Sequence, residues 1–155
     1  MDIVLVNPEI PQNTGSIART CAATQTALHL VGKIGFEISD RTVRRAGLDY
    51  WPWVNLTQHL TWEAYAESRK PGKVWLLSKF ATRPYYEAEF SPSDALVFGS
   101  ETKGLGEEFR SQFAPEQHLK IPMVCPHVRS LNLSNAVSIV LYDALRQFAQ
   151  RGLCA

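Results

Sequence analysis

Two short runs, KVWLLS (73–78) and DALVFGS (94–100), are apolar at consecutive positions rather than at alternate ones. A strand with one face in water alternates, whereas a strand that is apolar throughout needs cover on both faces. That need points away from a half-open antiparallel sheet and toward a mostly parallel α/β sheet flanked by helices. The start of the chain agrees. DIVLV (2–6) is a β-branched run stopped at Asn7-Pro8, and Pro8 and Pro11 force an extended loop. NTGSIARTCAATQ then has helical spacing, with Ile17, Cys21 and Thr24 on one face and Asn13 or Thr14 as its N-cap. ALHLVG (27–32) follows as a second strand, which completes a β-loop-α-β unit.

The same reading continues along the chain. DRTVRRAG (40–47) predicts a short helix capped by Asp40 and ended by Gly47, and LDYWPWVNLTQHL is aromatic and irregular before turning strand-like. TWEAYAESRK (61–70) predicts a helix capped by Thr61 and stopped at Pro71-Gly72. GEEFRSQF (106–113) predicts a short helix and HLKIPM (118–123) a last strand. From Leu133, the stripe Leu133, Val137, Val140, Leu141, Ala144, Leu145 and Phe148 predicts an amphipathic helix to the end. With 155 residues and no repeat or linker, the chain reads as one domain, 1–155.

Several classes of function are disfavoured. No apolar run approaches the ~18 residues of a membrane span. MDIVLVNPEI has neither a basic leader nor a small-residue cleavage site, so a cytoplasmic location is expected. Cys21, Cys125 and Cys154 stand at unrelated spacings without a CxxC pattern, and Cys21 reads as a small buried hydrophobe. The Cys125 and His127 pair in CPH lacks further partners, and the four histidines are scattered, so no metal site is expected. A net charge of +1 neither suggests nor excludes nucleic acid, because a local basic patch can sit on a nearly neutral protein.

Three loops at strand ends are unlike plain connectors: NPEIPQNTGSIAR (7–19), FGSETKGLG (98–106) and IPMVCPHVRSLNLSNA (121–136). In open α/β sheets, ligands bind outside the carboxyl ends of the strands. The second loop is no P-loop, since Gly104 precedes Leu105 where Lys is needed, and no dinucleotide fingerprint, since Phe109 occupies the third Gly position. Alone it is a turn. The third loop leads into RSLNLSNAVSIVLYD (129–143), where small polar residues crowd the start of a buried helix. Capping explains some of them, and a binding site at the helix start explains others.

Together the loops resemble the three motifs of the SPOUT class of RNA methyltransferases, closest to the single-domain TrmL (YibK-like) group of tRNA wobble-nucleotide 2′-O-methyltransferases. The first motif is Asn7-Pro8, Asn13-Thr14-Gly15 and Arg19; the second is LVFGSETKGL (96–105); the third is IPM (121–123) with RSLNLSNAVSIVLYDALRQ (129–147). RRAGLDYW (44–51) is similar to that group as well, while VCPHVRS departs from it. The resemblance implies a deep C-terminal trefoil knot, which no topological prior would supply. It implies methyl transfer from S-adenosyl-L-methionine to the ribose 2′-hydroxyl of cytidine or uridine 34, a tRNA anticodon stem-loop as partner, S-adenosyl-L-homocysteine as product, no metal, and a homodimer. The alternatives are a SPOUT enzyme for another RNA site, or a non-catalytic RNA-binding protein of the same fold.

By the same resemblance, Leu77, Gly99, Glu101, Gly104, Ile121 and Ser130 bind the cofactor. The residue types suit that role, with Leu77 and Ile121 as apolar walls for adenine and Gly99 permitting close backbone approach. The bland readings are core residues, turns and, for Glu101, a loop tie. Arg19, Asn13, Ser130 and Asn132 are implied to be catalytic. A guanidinium with a pKa above ~12 is a poor base, so Arg19 is expected to clamp phosphate or ribose and stabilise a developing alkoxide. Asn13 orients that arginine or the ribose, or caps the helix, and Ser134 or Asn135 is expected to cap or pack the start of the last helix. For RNA, Arg41, Arg44 and Arg45 share a helical face, with Arg129, Lys33 and Lys103 adding to it. Tyr50, Trp51 and Trp53 either stack a base or pack at a dimer interface.

Overall fold

The computed structural model describes residues 1–38 and 49–153. The helix expected over 40–47, with Arg41, Arg44 and Arg45, lies outside them, as does Cys154. In chain order the elements are β1 (Asp2–Val6), α1 (Pro11–Thr24), β2 (Ala27–Val31), β3 (Leu56–His59), α2 (Trp62–Arg69), β4 (Val74–Leu77), β5 (Arg83–Pro84), β6 (Ala95–Phe98), α3 (Glu107–Arg110), β7 (His118–Lys120) and α4 (Leu133–Gln150). Single 3₁₀ turns stand at Trp51–Trp53, Tyr85–Glu87 and Pro115–Gln117.

The strands form one sheet in the order β3-β2-β1-β6-β4-β7-β5, and every pairing is parallel. The continuous apolar runs occupy its middle, as cover on both faces requires. Alternate residues serve opposite faces. Ile3, Leu5, Leu28, Leu30, Leu96 and Phe98 pack with Ile17 and Cys21 of α1 and Val137, Val140 and Leu141 of α4. Val4, Val6, Val31, Leu76 and Val97 pack on the other side with Tyr65 of α2. Each such side chain, once fully buried, contributes about 1.5–3 kcal/mol. Cys21 is completely buried, and burial pushes its thiol up to about 12, so it is an inert core residue.

Among the described residues the expected elements are present, with three corrections. α1 begins at Pro11, with Ile10 at the N-cap position, so neither Asn13 nor Thr14 caps it; both are buried inside its first turns. Pro at the first helical position suits a fixed φ and needs no N–H there. β7 ends at Lys120 rather than Met123, because Pro122 cannot continue a ladder. The cap of α4 is Asn132 rather than Ser134 or Asn135. Two expected caps hold elsewhere: Thr61 Oγ1 accepts from the Ala64 amide at 3.1 Å, and α2 stops before Pro71 at Lys70 with a φ of 47°. The two-residue strand β5 has no sequence signal. Among the described residues, no helix is long and apolar enough to cross a membrane, and no group of three or more His, Cys, Asp or Glu could hold a metal ion.

Candidate active site

The three motif loops meet at the carboxyl ends of β4, β6 and β7. They enclose a cavity of about 470 Å³, in the size range of small-molecule sites. Leu77 stands at the end of β4, Phe98 and Gly99 at the end of β6, and Ile121 just past β7. Leu77, Phe98, Leu105, Ile121 and Leu133 give it apolar walls, while Ser100, Ser130 and Asn132 supply polar atoms. Every residue assigned to the cofactor by resemblance lines this cavity: Leu77, Gly99, Glu101, Gly104, Ile121 and Ser130. Asn13, Asn132 and Arg129 line it too.

The second loop folds tightly back on itself. Ser100 and Gly104 exchange two backbone hydrogen bonds, the Ser100 amide donating to Gly104 O at 3.1 Å and the Gly104 amide donating to Ser100 O at 2.9 Å. Gly104 has a φ of 65°, a left-handed conformation that a side chain would strain. A Cβ on Gly99 would stand 2.0 Å from the Gly104 carbonyl carbon and 2.2 Å from the Leu105 nitrogen. The missing side chain of Gly99 therefore makes room for the returning loop itself, not chiefly for a ligand.

Glu101 holds the first loop against the second. Its carboxylate accepts from the Glu9 amide at 2.8 Å, the Ile10 amide at 3.1 Å and the Asn13 side-chain amide at 3.2 Å. The reverse tie is made by Glu9, whose carboxylate accepts from the Thr102 hydroxyl at 2.8 and 2.9 Å. Glu101 thus places an anion at the start of α1, where exposed amides and the helix dipole favour negative charge. Glu9 and Thr102 carry no sequence signal, because one acid in a short loop and one Thr in a distant turn form no local pattern.

The chain of contacts continues into α4. Asn132 Nδ2 donates to Asn13 Oδ1 at 3.0 Å, and Asn132 Oδ1 accepts from the Ser134 and Asn135 amides at 2.9 and 3.4 Å. One carboxamide serves as both helix cap and site residue. Ser130 is exposed at the cavity mouth.

Arg19 is not part of the cavity lining. It is exposed on α1, one turn beyond Gly15, with its guanidinium 5.4 Å from the centroid of the Tyr50 ring. Tyr50 in turn donates its hydroxyl to Gly15 O at 2.9 Å, so ring and helix hold each other. Burial raises the Tyr50 hydroxyl above its ordinary pKa, and the nearby Arg19 charge works against that rise. Tyr50 and Trp51 pack partly against the core, and Trp53 is 75% exposed. Lys33 is exposed beside Asn7, which accepts from its backbone amide, and Lys103 joins Arg129 at the cavity.

The model of the SpoU rRNA Methylase family matches residues 1–142. The chain belongs to that family. A tRNA (cytidine(34)-2'-O)-methyltransferase of Saccharophagus degradans is 44% identical over 151 residues, 97% of each chain. A solved structure described as giving insights into the 2-OH methylation of C/U34 on tRNA is 45% identical, with a TM-score of 0.88 and coverage of 96% of both chains. The SpoU methyltransferase AviRb of Streptomyces viridochromogenes, solved with AdoMet, has a TM-score of 0.81 at 23% identity, over 97% of this chain and 61% of that one. The fold is the α/β knot of the SPOUT class, and the chain is an RNA methyltransferase.

Proposed function

We propose that this protein methylates the ribose 2′-hydroxyl of nucleotide 34, cytidine or uridine, in the anticodon loop of tRNA, using S-adenosyl-L-methionine and working in the cytoplasm as a homodimer. The observation that carries the reading is the single cavity in which all three motif loops converge, with Arg19 on the adjoining helix. The relatives that span nearly the whole chain are named for that reaction on tRNA.

The cavity suits an adenosyl ligand. Its apolar walls match a purine ring, and Ser100, Ser130 and Asn132 offer polar atoms to a ribose and an amino acid tail. When bound, S-adenosyl-L-methionine supplies an electrophilic methyl group on a sulfonium centre. Leu77 and Ile121 would flank the base, and the Gly99 and Gly104 turn would present main-chain groups to it. Ser130 would hydrogen-bond at the mouth, where the ribose hydroxyl must enter. Arg19 would hold phosphate or ribose and stabilise negative charge as the hydroxyl loses its proton. The Tyr50 ring, 5.4 Å from that guanidinium, would help to orient it. Asn13, Asn132 and Glu101 would act by keeping α1, α4 and the second loop in register.

Exposed apolar side chains support the homodimer reading. α4 leaves Ile139 and Tyr142 at 36% and 56% exposure beside its buried stripe, and Trp53 projects from the Trp51–Trp53 turn. Exposed apolar surface of this kind is a feature of self-association sites.

The test is methylation of a tRNA transcript with labelled cofactor, followed by nucleoside mass spectrometry. A 2′-O-methylated nucleotide at position 34 is the expected product. Label at another RNA position, or binding of RNA with no transfer, would overturn the assignment.

A further inference from the structure

The rim of the cavity carries more positive charge than its cofactor calls for. Lys79, Lys103, Arg110 and Arg129 line it against a single acid, Glu101. That acid is already engaged by the amides of Glu9, Ile10 and Asn13. Among the described residues, none of the four cations forms an ion pair. S-adenosyl-L-methionine is itself a net cation at neutral pH, so this rim does not complement it. Phosphates do.

Within the rim stands an aromatic ring. Phe80 is 65% exposed. Its turn is fixed by the Ala81 amide donating to Ser78 O at 3.2 Å and by the Phe80 amide donating to Ser78 Oγ at 3.2 Å. The Arg110 guanidinium lies 4.5 Å from the ring centroid and the Lys79 ammonium 5.2 Å. An exposed aromatic interleaved with cations is the pattern that binds single-stranded nucleic acid, the ring stacking a base and the cations following the backbone. We propose that Phe80 is a stacking platform for an unpaired base of the RNA substrate, with Lys79 and Arg110 engaging the phosphates beside it. This rests on the RNA substrate proposed above and adds to it a subsite on the cavity rim, whose lining includes Phe80 but not Tyr50, Trp51 or Trp53.

The test is equilibrium binding of a fluorescent stem-loop RNA with an unpaired loop, alongside calorimetry with S-adenosyl-L-homocysteine on each variant. Phe80→Ala should weaken RNA binding roughly tenfold. Phe80→Leu, apolar but without a π face, should be equally weak, and Phe80→Trp should restore affinity. All three should bind S-adenosyl-L-homocysteine as the wild type does, which also shows that they fold. An abasic site walked through the loop should reach one position where wild type and Phe80→Ala bind alike. Arg110→Ala should lower the salt dependence by about one phosphate contact. RNA affinity equal in wild type and Phe80→Leu would overturn the proposal. So would a loss of cofactor affinity with RNA binding intact, which would make Phe80 a wall for adenine. Wild-type protein that binds no RNA would instead overturn the functional reading beneath it.

Discussion

Asn132 reaches back 119 residues to donate a hydrogen bond to Asn13 at 3.0 Å. The same side chain caps α4 through its oxygen, so the start of the last helix and the first turn of α1 share one carboxamide. Asn13 passes the connection on to Glu101.

Asn132→Ala removes a helix cap, worth ~1 kcal/mol, and leaves the buried Asn13 oxygen without its donor, worth a further ~1 kcal/mol or more. Urea denaturation should show a loss of about 2 kcal/mol. Asn132→Asp keeps the capping acceptor and loses only the donor, so it should recover about half. An Asp variant as stable as wild type would show that the tie to Asn13 contributes nothing.

Arg19→Ala should leave affinity for S-adenosyl-L-homocysteine intact, because Arg19 lies outside the cavity lining. Single-turnover methylation should fall roughly 10²–10³-fold, the usual loss for one electrostatic contact to a developing oxyanion. Arg19→Lys should also be poor, since a compact ammonium cannot reproduce a planar fork over Tyr50. Transfer at the wild-type rate would remove Arg19 from the mechanism.

Two glycines should respond in opposite directions. Gly99→Ala sets a Cβ 2.0 Å from a backbone carbon of the returning loop, so it should cost about 1–3 kcal/mol and weaken cofactor binding. Gly15 lies inside α1 with nothing within 4 Å of a would-be Cβ. Gly15→Ala should stabilise by up to about 1 kcal/mol through helix propensity. Thermal unfolding of the two variants reads both signs.

The amino end of β1 holds a charge cluster that sets acid stability. Asp2 accepts from Arg69 at 2.8 and 2.9 Å and from the Tyr65 hydroxyl at 3.0 Å, and His29 Nε2 stands 3.5 Å away. Burial works to raise the Asp2 carboxyl, but His29, the Arg69 fork and Tyr65 outweigh it and hold the group below the ordinary carboxylate range. A carboxyl lowered on folding contributes stability that is full above its unfolded pKa of ~3.9 and is lost as pH falls through the folded value. Asp2→Asn should therefore cost about 2–3 kcal/mol at neutral pH, the worth of hydrogen bonds to a charged group. The gap from wild type should close as pH drops below ~4. A gap independent of pH would mean that packing, not charge, holds Arg69 there.

The periodic features were legible in sequence. The apolar runs marked the central strands, and the stripe from Leu133 to Phe148 marked the face of α4 that packs on the sheet. The convergence of Leu77, Gly99, Ile121 and Ser130 on one cavity follows the strand-end rule once the strands are placed. What the sequence concealed was set by distant partners. α1 starts at Pro11 without a side-chain cap, and Glu101, ninety-odd residues away, instead holds the Glu9 and Ile10 amides just ahead of the helix. The sequence offers Asn132 for the site and Ser134 or Asn135 to cap or pack the helix start, but Asn132 both caps α4 and lines the cavity. Phe80 carried no signal, because a single aromatic after a strand is ordinary until Arg110 is folded against it.

The span of that asparagine contact has a consequence for the birth of the protein. Ribosomes release a chain from its first residue onward at about 5–20 residues per second, and N-terminal parts fold first. β1, α1 and β2 can meet early, because their contacts are local. The cavity cannot, since Ser130, Asn132 and Leu133 complete its wall and α4 must settle on α1 to hold them. A nascent chain without α4 therefore lacks part of the cavity wall. If S-adenosyl-L-homocysteine binds there, its capture should report that α4 has emerged, and pulse-labelled, stalled ribosome complexes lacking α4 should retain none.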